Sequence, residues 1–175
     1  MSKIQISKSF LPNTFTFINL SLGIFSLLMT FKSNYVISSL AILCAALIDR
    51  YDGKIARFFN ASSEIGKELD SLADLVSFGV APSMLLYFLY EFNSFGILGY
   101  ILLITFPIAG AYRLAKFNIV SFDNIYTGIP ITVAGSVVAF YSLVTSKTPC
   151  TLIITIPIFL LLAYLMVSKL KFKKF

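Results

Sequence analysis

Long apolar runs separated by short polar breaks organise the whole chain. Six of them, Phe15 to Phe31, Tyr35 to about Arg57, Lys67 to Tyr90, Phe95 to Ala115, Gly128 to Thr145 and Thr151 to Ser168, are 17 to 24 residues long. A helix crosses a hydrocarbon core of about 30 Å with roughly 17 to 25 residues, so the pattern predicts six transmembrane helices. The second and third runs are unusual. Their uninterrupted apolar parts, Tyr35 to Ile48 and Leu75 to Tyr90, are too short to span comfortably. Each helix must therefore extend through aspartates, Asp49 and Asp52 at the end of one and Asp70 and Asp74 near the start of the next. A short polar loop around Asn60 to Glu64 joins them, which puts four carboxylates near one membrane face.

Composition supports the same class. Of 175 residues, 58% are hydrophobic and 13% charged, and the mean hydropathy is +0.88, more apolar surface than a soluble domain of this length can bury. The chain reads as an all-α integral membrane protein with one domain over residues 1–175. There is no internal repeat or low-complexity tract. Phe15 to Phe31 lacks a small-residue cleavage site and reads as a retained first span. Cys44 and Cys150 have neither metal-ligand spacing nor the look of a disulfide framework.

Charge orients the chain. Twelve of the fourteen basic residues fall on one side of the predicted spans and only Lys32 and Lys147 on the other. Loops retained inside the cell are enriched in Lys and Arg, so both termini and the aspartates are expected on the cytoplasmic side. The net charge of +6 is dispersed over several loops. That dispersal fits a rim facing anionic headgroups or phosphates better than a nucleic-acid footprint.

Candidate chemistry concentrates in the 26 residues from Asp49 to Asp74, which hold six of the eight acidic residues. Asp49 and Asp52 are three apart, Asp70 and Asp74 four apart, and either spacing puts both carboxylates on one helix face. Carboxylates in or beside a hydrocarbon layer cost several kcal/mol each, so function is their default explanation. With no histidine in the chain, a Ser-His-Asp triad and a His-ligated zinc site are both excluded. Hard oxygen ligands suit Mg²⁺, Mn²⁺ or Ca²⁺, and four aspartates can hold two ions at the roughly 3.5 to 4 Å separation of two-metal sites. Gly53, Ala56 and Gly66 leave room for a ligand close to the backbone, or serve helix packing. Arg57 offers a fork for phosphate oxygens. A cation or proton transporter that uses the aspartates as a relay is the reading from another class.

Asp49, Asp52-Gly53, Ala56-Arg57, Gly66, Asp70 and Asp74, with gaps of two, two, eight, three and three residues, resemble the full signature of the CDP-alcohol phosphotransferase family. The resemblance implies six transmembrane helices, commonly in a homodimer. It also implies Mg²⁺- or Mn²⁺-dependent transfer of a phosphatidyl-type group from a CDP-linked lipid, CDP-diacylglycerol or an archaeal analogue, to an alcohol with release of CMP. LPNTFTFINLSLG from Leu11, SFGVAPS from Ser77, RLAKFNI from Arg113 and YTGIPITVAG from Tyr126 resemble the membrane-embedded phosphatidylserine synthases. The first two are shared with phosphatidylglycerolphosphate synthases, so L-serine as acceptor rests on the last two.

Carried onto this chain, the resemblance makes Asp49, Asp52, Asp70 and Asp74 the metal ligands, with Asp74 also the general base. Gly53, Ala56, Arg57 and Gly66, with Ser63, would line the CDP site. Serine carries a carboxylate, which calls for a fixed cation, and Arg113, Lys116 and Asn118 at the end of the fourth span are the candidates; their plain alternative is a basic membrane anchor. Within the family, a transferase using glycerol 3-phosphate or an inositol phosphate is the alternative.

Overall fold

The computed structural model of the chain describes the backbone of residues 10–58, 64–119, 125–145, 152–168 and 171–173, and the side chains of 13–51, 64–119, 128–145 and 154–168. Among the described residues six long helices follow one another: α1 (Phe10–Phe31), α2 (Tyr35–Phe58), α3 (Glu64–Leu89), α4 (Ile97–Ile119), α5 (Ile131–Thr145) and α6 (Leu152–Val167). They reproduce the six predicted runs to within a few residues at each end. Among the described residues α1 (from Asn13), α3 and α4 are long and apolar enough to cross a membrane, and α5 and α6 are shorter apolar helices. Leu28, Leu47, Ile108, Phe140 and Leu161 point outward, as expected of a surface that faces lipid.

Helix α1 turns a polar or small face inward and an apolar face outward. On α1 the buried positions are Thr16, Asn19, Gly23, Ser26 and Thr30, alternating three and four residues apart along one face. Lipid tails are as apolar as leucine, so small and hydrogen-bonding residues are what hold such helices together. Ser38 of α2 meets two of them, with its hydroxyl 2.8 Å from Ser26 Oγ and 2.7 Å from Thr30 Oγ1. A tight turn connects α1 and α2, with Ser33 at φ 57° and Asn34 accepting from the Ile37 amide at 3.3 Å.

Helix α3 is the centre of the bundle. Its most apolar stretch is 61% buried, against 28% for α1 and 22% for α4. Its middle, Leu75–Val80, widens into a π-helix, with the Ala81 amide donating five residues back to Val76. Pro82 contributes to the break, because it has no N–H for the Phe78 carbonyl. Gly135 of α5 packs against this spot, where a Cβ would stand 2.6 Å from the Phe78 oxygen. Around it lie Ile42, Phe78, Leu85 and Ile131, and Phe106 stacks on Phe159 with ring centroids 4.7 Å apart.

Nothing in the hydrophobic pattern pointed to strands, yet Ile125–Thr127 pairs antiparallel with Lys171–Lys173. Gly128, at φ 77°, then lets the chain approach the end of α6, where the Ile129 amide donates to Leu165 O at 3.2 Å. The basic tail thus runs back beside the segment that leads into α5.

Candidate active site

Asp49 lies near the end of the apolar part of α2, and Asp70 and Asp74 lie in the first half of α3. Packing brings one oxygen of each to within 4.8 Å of the others. Asp49 and Asp70 are half-buried and Asp74 is buried. The π-helical segment begins immediately after Asp74, so the helical phase that aims this carboxylate differs from the phase that buries Phe78 and Leu85.

Three elements besides α2 and α3 reach the cluster. From α1, the fully buried Asn19 donates its amide nitrogen to Asp74 Oδ1 at 3.1 Å, while its backbone carbonyl accepts the Ser77 hydroxyl at 3.0 Å. From α5, Thr132 donates to Asp49 Oδ2 at 3.4 Å. From α4, the half-buried Arg113 interacts electrostatically with Asp74, and its Nε finds no hydrogen-bond partner among the described residues. Three carboxylates this close repel one another as anions. The donor set is all oxygen and carries several carboxylates, which fits a hard divalent cation.

The other expected site residues fall as follows. Asp52, Gly53, Ala56 and Arg57 belong to the last turns of α2, and their side chains lie outside the described residues, as does Ser63 altogether. Gly66 is half-buried in the first turn of α3. Lys116 is half-buried one turn beyond Arg113. Asn118 is tied into the fold: its amide nitrogen donates to Glu68 Oε1 at 3.1 Å and to Ser71 Oγ at 3.0 Å. Lys67 secures the same helix end by donating to the Asn118 carbonyl at 3.3 Å, with its ammonium 5.8 Å from the Phe117 ring centroid.

Asn19, Ser77 and Thr132 were not singled out from the sequence, although each lies inside a quoted motif segment. The available signal was a hydrogen-bonding side chain within an apolar run, where an unpartnered amide is expensive.

Comparison with known proteins agrees with this geometry. A family model described as CDP-alcohol phosphatidyltransferase matches residues 9–172. A Helicobacter pylori protein named CDP-diacylglycerol–serine O-phosphatidyltransferase is 37% identical over 171 residues, covering 94% of this chain and 72% of the relative. A Bacillus subtilis protein of the same name is 38% identical, covering 95% and 92%. A third, from Methanocaldococcus jannaschii, is 35% identical and covers 91% and 72%.

Proposed function

The chain belongs to the CDP-alcohol phosphatidyltransferase family, and on that premise we propose that it transfers the phosphatidyl group of a CDP-linked lipid to the hydroxyl of L-serine, releasing CMP. The observation that carries this reading is the meeting of Asp49, Asp70 and Asp74 within 4.8 Å, in a chain whose relatives bear the name of a serine transferase. It is a multi-pass membrane protein. In the full reading all six helices span the bilayer, one domain covers residues 1–175, and the protein works as a homodimer. The uneven distribution of Lys and Arg supports a cytoplasmic site and cytoplasmic termini.

Asp49, Asp70 and Asp74, joined by Asp52, are the residues that would hold Mg²⁺ or Mn²⁺, two ions in our reading. Bound there, the cations would neutralise the diphosphate and the departing CMP. The chain supplies the rest. Gly53, Ala56, Arg57, Ser63 and Gly66 form the CDP-lipid site, with small residues admitting the nucleotide and Arg57 gripping phosphate. Arg113 and Lys116 receive the serine carboxylate, and Asn118 holds their helix against α3. Asp74, aimed by Asn19, takes the proton of the serine hydroxyl as its oxygen bonds to the lipid-side phosphorus and the bond to CMP breaks. Because the site sits where two spans emerge from the apolar layer, lipid enters sideways while serine arrives from water.

The deciding experiment measures CMP release by purified protein with CDP-diacylglycerol and Mn²⁺, comparing serine, glycerol 3-phosphate and inositol phosphate. Serine should be the preferred acceptor. Preference for glycerol 3-phosphate would move the chain to another branch of the family.

A further inference from the structure

Asn19 is 1% exposed in the middle of an apolar helix, and among the described residues only one end of its amide has a partner. A carboxylate oxygen needs a donor, so the bond to Asp74 fixes the amide with its nitrogen toward Asp74. The opposite end, Oδ1, is then buried with no hydrogen-bond partner among the described residues. The bond to Asp74 holds the side chain in this orientation, and the Ser77 hydroxyl on the Asn19 backbone carbonyl ties α1 to α3 beside Asp74. Buried amide oxygens are seldom left unpaired, so a donor is expected there in the working complex.

The chemistry of the acceptor identifies that donor. Zwitterionic serine has two donating groups, a hydroxyl and an ammonium. The hydroxyl proton goes to Asp74. Arg113 and Lys116, being cations, cannot receive the ammonium, and Asp49 and Asp70 are assigned to the metal. We propose that Asn19 is an acceptor-site residue that works at both ends of its amide, Nδ2 orienting Asp74 and Oδ1 receiving the serine ammonium. This rests on the reading of serine as the acceptor.

The test compares serine with 3-hydroxypropanoate, which keeps the hydroxyl and the carboxylate and lacks the ammonium. The two are compared as substrates, or by competitive inhibition if the analogue turns over too slowly. In Asn19→Ala, the preference for serine should shrink by about ten- to hundredfold, the range for a hydrogen bond to a charged group, with the CDP-lipid KM within about twofold of the parent. Asn19→Asp keeps an oxygen acceptor but loses the donor to Asp74. It should retain the serine preference while kcat falls at least about tenfold, as expected when a catalytic group loses its alignment. Folding is checked by melting in detergent, and Asn19→Leu, which keeps the side-chain shape without an acceptor, replaces the alanine variant if that chain does not insert. An unchanged serine preference in a folded Asn19→Ala would overturn the proposal. So would a loss confined to apparent Mn²⁺ affinity, which would make Oδ1 a metal ligand. A parent enzyme that ignores serine altogether would sink the acceptor assignment itself, a result visible before any variant is made.

Discussion

Thr132 Oγ1 stands 3.4 Å from Asp49 Oδ2, joining residues 83 positions apart at the start of α5 and near the end of the apolar part of α2. Groups that support a metal ligand in this way commonly contribute about ten- to hundredfold in metal affinity. At 3.4 Å the bond is long, so the effect should sit at the lower end. Thr132→Val should raise the Mn²⁺ concentration needed for half-maximal CMP release by up to about tenfold, with little change in serine KM. A superimposable Mn²⁺ titration would show that the hydroxyl gives Asp49 no support.

Chelation should abolish turnover, because Asp49, Asp70 and Asp74 form a cluster of like charge that only a cation can bridge. Asp49→Asn and Asp70→Asn should weaken Mn²⁺ and nucleotide binding together. Asp74→Asn should still bind CDP-lipid in a direct binding measurement yet release almost no CMP. Full activity in excess EDTA would eliminate the metal assignment, and near-parental turnover in Asp74→Asn would assign the base to another residue.

Arg113 is half-buried, senses the charge of Asp74 and has an Nε without a partner among the described residues. If that nitrogen awaits the serine carboxylate, Arg113→Lys loses a directed contact that an ammonium cannot reproduce. Serine KM should rise by about ten- to hundredfold, the range for a charged hydrogen bond, while CDP-lipid KM changes much less. Equal weakening of both substrates would place Arg113 on the diphosphate.

Asn118 spends its amide hydrogens on Glu68 and Ser71, so its substitution should register in stability more than in recognition. Both partners are accessible to water, and Asn118→Ala should cost about 0.5–1.5 kcal/mol. For a chain of this length that corresponds to a fall of a few degrees in melting temperature. Serine KM should stay within about twofold of the parent, since other residues make the contact. A large rise in serine KM with unchanged melting would put Asn118 in the acceptor pocket directly.

Helix number, helix limits and the pairing of Asp70 with Asp74 were legible in the residues themselves. Each depends on local spacing: the length of an apolar run against the thickness of a bilayer, or a separation of three or four positions against the pitch of a helix. Asp70 and Asp74 share a face whatever surrounds them. Which side chains complete the site was decided by packing. Asn19 and Thr132 come from α1 and α5, and they meet the aspartates only because those helices settle against α2 and α3 in one register, as does Arg113, whose place beside Asp74 its own segment does not encode. The π-helical turn after Asp74 was equally hidden: Pro82 withholds a donor from the Phe78 carbonyl, and Gly135 of α5 packs against that spot. So was the pairing of Ile125–Thr127 with Lys171–Lys173, which depends on α5 and α6 returning the chain to its own loop. Helical periodicity acts over a few residues. Contacts across a bundle depend on the rotation and depth of every helix, and no single segment contains that information.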